Sequence, residues 1–150
     1  MKRFAFTMIE LVFVIVILGI LAAVAMPRLN ATRDDARISA VSHMVMVGIS
    51  EIGSYAMANG RTEDDLTVMS NSIGTLVSKG DAANTGIKSV AVHMDGVADC
   101  ITIDVNTTAT MEILNVKSNN NGVSSLCDAL QSTVNWNQYP MQIRGERVVR

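Results

Sequence analysis

Residues 6–26 read FTMIELVFVIVILGILAAVAM, and the rest of the chain is organised by how this stretch behaves. Its one ionisable group is Glu10, and none follows between Leu11 and Met26. As a helix it extends about 30 Å, the thickness of a bilayer hydrocarbon core. Lys2 and Arg3 form a short basic tail ahead of it. An acid at the centre of a membrane helix costs on the order of 2.5–3.5 kcal/mol, and less near the interface. Glu10 therefore calls for a partner.

The longer stretch MKRFAFTMIELVFVIVILGILAAVAMPRL, residues 1–29, resembles the prepilin leader of type IV pilins and of the pseudopilins of type II secretion. The shared features are a short basic leader, a small residue, a Phe, an FTxIEL core with Glu four positions after the Phe, and an unbroken apolar helix. Identity is matched at Ala5, Phe6, Thr7, Ile9, Glu10 and Leu11; beyond Leu29 the likeness is architectural. The resemblance implies that a prepilin peptidase cuts between Ala5 and Phe6 on the cytoplasmic side and that Phe6 is then N-methylated. Ala5 stands where the family most often carries Gly. Also implied are an inner-membrane assembly platform and like subunits as partners, with membrane lipid around the helix before assembly.

Cleavage would create an ammonium at Phe6, four residues before Glu10, so an intrachain or an intersubunit pair can neutralise both charges. Unit charges about 4 Å apart at an effective dielectric near 20 attract by roughly 4 kcal/mol before desolvation is subtracted. In the family the pair is intersubunit, which makes Glu10 the register device for stacking helices. A different reading takes Ala23-Val24-Ala25 as a signal-peptidase site, releasing a soluble enzyme or binding module that starts at Met26. A third leaves a monomeric domain tethered by an uncut helix. Glu10 and the length of the apolar run weigh against an ordinary signal sequence.

The chain has 150 residues, of which 49% are hydrophobic and 4% aromatic. That suffices for one modest aliphatic domain beside the apolar helix. Its formal charge is −2, which argues against a nucleic-acid-binding surface overall. Arg144, Arg147 and Arg150 make a small basic terminus that can meet DNA or an acidic neighbour, though such clusters are more often solvated. The positive-inside count leaves orientation open, because Arg28, Arg33 and Arg37 follow the helix as Lys2 and Arg3 precede it. Cys100 and Cys127 are the only cysteines. A lone pair in a small extracytoplasmic domain reads as a disulfide, worth about 3.5 kcal/mol in the chain-entropy model. Two buried free thiols satisfy the same spacing, and C-terminal disulfides recur among pilins by resemblance only.

Pro27 removes one helical hydrogen bond, so a bend or loosening is expected there. Beyond it Ile38, Val41, Val45, Gly48, Ile52 and Tyr55 recur at steps of three and four, the pattern of an amphipathic helix laid on a core. From Phe6 to about Ala58 one helix would run on the order of 80 Å. Gly19 and Pro27 match positions where pilin spines carry helix breakers, and the resemblance implies that the segment between them unwinds on assembly. Gly19 equally suits close helix packing in a membrane. Asn59-Gly60 reads as the helix stop, and Thr62 as the N-cap of a short helix reaching about Ser70. Residues 70–86 read as loop with at most a turn of helix.

Strands are expected from Lys88 onward. Val90, Val92 and Met94 alternate up to an Asp95-Gly96 turn; Ile101, Ile103 and Val105 alternate after it; Met111, Ile113 and Val116 supply a third. Ser124 or Ser125 caps a short helix through Leu126, Leu130 and Val134, and Met141 and Ile143 offer a fourth strand. The expected fold is α+β and pilin-like: a long N-terminal spine with a transmembrane first half, packed on an antiparallel sheet of three to four strands. Its divisions are a leader (1–5), a membrane and polymerisation helix (6–29), an amphipathic half-spine (30–58) and a globular domain (59–150).

No nucleophile elbow, P-loop, dinucleotide fingerprint or helical zinc pair occurs, His43 lying on the spine and His93 in a strand. Catalytic, cofactor and metal residues are therefore assigned to none. Asp95, Asp99 and Asp104 offer oxygen to Ca²⁺, but their spacing departs from an EF-hand loop and the turn accounts for Asp95. The expectation is a non-enzymatic filament subunit, of a pilus, a secretion pseudopilus or a DNA-uptake filament, with its C-terminal domain in the periplasm.

Overall fold

The computed structural model describes residues 7–108, 111–119 and 122–144. The chain divides into two compact units, Met1–Arg37 and Ile38–Arg150. Helix α1 (Met8–Asn59) begins in the first and ends in the second. In the first unit its side chains are exposed almost throughout, Met8 at 84% and Phe13 at 66%. The helix contains a window of mean hydropathy 2.9, none of it buried, and is long and apolar enough to cross a membrane.

In the second unit α1 becomes one-sided. Val41, Val45, Gly48, Ile49, Ile52, Gly53 and Ala56 are buried, at the three- and four-residue steps of a single helix face. Gly60, at φ +66°, ends the helix, its N–H donating to the carbonyl of Ala56 at 3.0 Å. This left-handed position suits Gly because it has no Cβ.

After α1 come α2 (Leu66–Met69), α3 (Asn71–Lys79) and the strands β1 (Ala82–Gly86), β2 (Ser89–Met94), β3 (Val97–Thr107) and β4 (Glu112–Ser118). Helix α4 (Ser125–Ser132) and β5 (Met141–Arg144) complete the order. Among the described residues, five strands form one antiparallel sheet in sequence order, β1-β2-β3-β4-β5. Val90, Ile103 and Val116 lie in register across three strands, as do Val105, Leu114 and Met141 across β3 to β5. All but the half-buried Met141 are buried in one core with the helical residues. The α+β layout of a long N-terminal helix against an antiparallel sheet is thus the observed one.

Residues 70–86 are not loop: Ser70 caps α3 through its hydroxyl, which accepts from Ile73 N at 3.0 Å, and β1 follows. The strand was hidden because AANTG has no apolar alternation; only Ala82 of it is buried. Among the described residues the sheet accordingly has five strands rather than three to four. The N-cap before α2 is Asp65, whose carboxylate accepts from Thr67 N at 2.9 Å, while Thr62 is buried elsewhere. In β4 the inward residues are Glu112, Leu114 and Val116, so Met111 and Ile113 do not belong to the inner face. Asp95 and Gly96, both at positive φ, form the two-residue turn between the paired Met94 and Val97, as a DG hairpin requires.

Two contacts fasten α3 to α1. A Cβ placed on Gly48 would lie 2.7 Å from Cδ1 and 2.8 Å from Cγ1 of the buried Ile73. Gly48→Val is therefore expected to destabilise by about 2–3 kcal/mol through overpacking, read as a lowered thermal midpoint. The Glu51 carboxylate accepts from the Ser70 hydroxyl at 2.6 Å and from Ser72 N at 3.0 Å, at the N-terminus of α3. These bonds, the Ser70 hydroxyl first, outweigh partial burial and hold its pKa below the ordinary value of 4.5. A depressed acid contributes stability above its unfolded pKa and loses it as pH falls through the folded one. Glu51→Gln should cost about 1 kcal/mol at pH 7 and progressively less in acid denaturation series below pH ~4.5.

Candidate functional site

The first described residues of α1 form a reciprocal cap. Thr7 N donates to Glu10 Oε2 at 2.9 Å, the Thr7 hydroxyl donates to the same oxygen at 2.7 Å, and Glu10 N donates to Thr7 Oγ1 at 3.3 Å. This is a capping box: residues three apart satisfy two of the N–H groups that a helix start leaves unpaired. Glu10 thus has a partner on its own chain, and its negative charge sits at the positive end of the helix dipole. Ile9, Glu10, Phe13 and Val14 line an open concavity of about 300 Å³ with an otherwise apolar wall.

Ala5 and Phe6, the expected processing residues, lie outside the described residues. Gly19 and Pro27 both lie within the continuous α1. Around Gly19 the space beside the backbone is open, with nothing within 4 Å of a built Cβ. At Pro27 the ring leaves the carbonyl of Ala23 without its helical N–H. One turn on, the Thr32 hydroxyl donates back to the Arg28 carbonyl at 2.9 Å.

Cys100 and Cys127 are joined in a disulfide, with Cα atoms 5.7 Å apart and both residues fully buried. It ties β3 to α4, which Ser124 starts by accepting from Leu126 N and Cys127 N. Beside it the buried Gln131 amide donates to the carbonyls of Cys100 at 2.8 Å and Asn119 at 2.6 Å. The Ser42 hydroxyl donates to Thr133 Oγ1 at 2.7 Å, linking the same region to α1.

The carboxylates considered for Ca²⁺ have protein partners. Asp95 accepts from the Ser124 hydroxyl at 2.7 Å, and Asp104 pairs with Lys117 at 3.1 Å and accepts from Asn115. Asp99 is also engaged. Among the described residues no three His, Cys, Asp or Glu side chains are grouped to hold a metal ion. His43 is exposed on α1 and His93 is half-buried in β2. Of the three C-terminal arginines, Arg144 is turned toward Glu112 at 3.2 Å, while Arg147 and Arg150 lie outside the described residues.

Sequence reasoning missed the most polar part of the domain interior. Glu112 is 2% exposed on the core face of β4, surrounded by Thr62, Lys88, Thr107 and Arg144. Burial raises its pKa, but the Thr62 hydroxyl, Arg144 and Lys88 together reverse this and leave it below the ordinary glutamate value. No local signal announces the cluster, because its members come from five segments.

Residues 1–26 match the family model of the prokaryotic N-terminal methylation motif. No curated protein and no solved structure matches the chain. The chain carries the prepilin-type signature of type IV pilins and pseudopilins, a structural rather than enzymatic class. That signature implies processing by prepilin peptidase and assembly with like subunits. Together with the exposed apolar helix it fits a single-pass inner-membrane protein.

Proposed function

We propose that this chain is a structural subunit of a type IV pilus or type II secretion-like filament, drawn from the inner membrane by packing of its N-terminal helices. The observation that carries the reading is the methylation motif at residues 1–26, whose described part from Met8 onward is exposed apolar helix. One heterologous helix contact, repeated without closing, generates a filament rather than a ring. The leader 1–5 is removed between Ala5 and Phe6, and residues 6–29 serve first as membrane anchor and then as filament core. Residues 30–58 join that core to the globular domain 59–150, which lies in the periplasm and forms the filament exterior. Glu10 sets the register by meeting the amino terminus of a neighbouring Phe6. The Gly19 to Pro27 segment is the part of the spine that loosens on assembly, since Gly costs about 1 kcal/mol in a helix and Pro deletes a bond.

Expression with and without prepilin peptidase tests this reading. With the peptidase the chain should shorten and appear in sheared filaments; without it the chain should stay full-length in the membrane. Release as a soluble protein in both strains would replace the filament subunit with a secreted module, and shortening that never yields filament would leave a tethered monomer.

A further inference from the structure

Strand β5 lies at the sheet edge. Among the described residues three pairs join it to β4, with a register shift between Glu112 and Ile113, whereas the pairing of β3 with β4 runs in unbroken register. Ile143, the buried side chain among its described residues, packs near Gly53 of α1. Its last described residue, Arg144, makes two further links: Nε lies 3.2 Å from Glu112 Oε2, and Nη1 donates to the Gly60 carbonyl at 3.1 Å.

Glu112 is where the other segments meet. The Thr62 hydroxyl donates to Oε1, and the Lys88 ammonium donates to Thr62 Oγ1 at 2.7 Å and Thr107 Oγ1 at 2.8 Å while lying 3.6 Å from Oε1. Lys88 reaches this position from a left-handed backbone (φ +56°), unusual for a residue with a Cβ, fixed by its N–H to the Asp64 carbonyl at 2.7 Å. Buried Glu112 Oε2 and Arg144 Nε face each other without hydrogen-bond geometry. Their attraction is therefore one of charge, and it disappears when the carboxylate is neutralised.

We propose that Glu112 is an acid-sensitive latch for strand β5. Charged, it locks the strand to β4 and to the end of α1; neutral, it lets β5 detach while the disulfide-tied remainder of the domain stays folded. Among the described residues, the charged groups facing it are Lys88 from the turn before β2 and Arg144 from β5. The α1–α2 connection presents the neutral Thr62 and β3 the neutral Thr107, and on that connection Arg61 and Glu63 pair with each other at 3.0 Å. Protonation leaves two cations opposed across an uncharged acid. Because surrounding groups depress the Glu112 pKa below 4.5, the latch is closed at neutral pH and opens as pH falls through that lower value.

Hydrogen exchange on the full-length chain in detergent micelles tests this. At pH 7, Glu112→Gln should speed exchange of the amides at 141–144 by about tenfold or more, the loss of one charge-assisted contact, with β2, β3 and α4 unchanged. Arg144→Met should reproduce that pattern from the other partner. The wild type, corrected for intrinsic exchange, should show it as pH is lowered stepwise from 7 to well below the ordinary glutamate value, which keeps the test decisive if Glu112→Gln fails to fold. Unchanged protection of β5, or loss of protection by one common factor across all strands, would overturn the latch.

Discussion

Glu10→Ala is expected to leave the chain in the membrane and remove it from filaments. Deleting the acid makes the apolar run easier to insert, by up to about 2.5–3.5 kcal/mol at the bilayer centre and less near its edge. The helix start keeps Thr7 as its cap, because the backbone N–H of residue 10 still donates to Thr7 Oγ1, and loses the back-bonds from Thr7 to the Glu10 carboxylate, which a long apolar helix in lipid tolerates. Assembly loses much more: an ammonium–carboxylate pair worth roughly 4 kcal/mol before desolvation, leaving the ammonium unpaired in apolar surroundings. The amount in sheared filaments should fall at least about a hundredfold, equivalent to about 2.8 kcal/mol, with the membrane fraction unchanged. Thr7→Ala separates the two roles, because it removes both Thr7 hydroxyl contacts with Glu10 and keeps the carboxylate. Normal assembly of Thr7→Ala beside failure of Glu10→Ala assigns the effect to pairing; equal failure of both assigns it to the cap.

The second large effect concerns the globular domain. Changing Cys100 and Cys127 together to Ser should lower its stability by about 3.5 kcal/mol, from the freedom returned to the unfolded chain over a sequence separation of 27 residues. For a domain of this size the thermal midpoint should fall by about 10–20 °C. Two hydroxyls would also be placed among fully buried residues, beside a Gln131 amide already committed to two carbonyls. A circular-dichroism melt with and without reductant measures the bond alone. Coincident melts of the oxidised and reduced protein would mean that α4 is held by its packing and by Gln131.

The parts of this fold written in local pattern were legible in the sequence. The 41–56 face of α1, the Asp95-Gly96 hairpin, the Ser124 cap and the Gly60 stop each follow from residue spacing or from a backbone angle that few residues adopt. The methylation motif was legible for the same reason, since it fixes identities at consecutive positions. What escaped depends on distant partners. Strand β1 has almost no apolar pattern and exists because β2 supplies its hydrogen bonds. In β4 the inward phase was misassigned because Glu112 reads as a solvent residue. Among the described residues, Thr62, 50 positions earlier, Lys88, 24 positions earlier, and Arg144, 32 positions later, make that buried acid tolerable. Thr62 was misread likewise: its sequence neighbours suggest a cap, while its hydroxyl is directed to Glu112.

The central claim is that proteolysis turns an anchor into a polymerisation element by creating a positive charge next to Glu10. The most direct measurement is the intact mass and amino-terminal peptide of the chain recovered from membranes and from sheared surface material. A single species beginning at N-methylated Phe6 in both fractions is the expected result. A chain beginning at Met26, or one retaining Met1 in the sheared fraction, would contradict the claim.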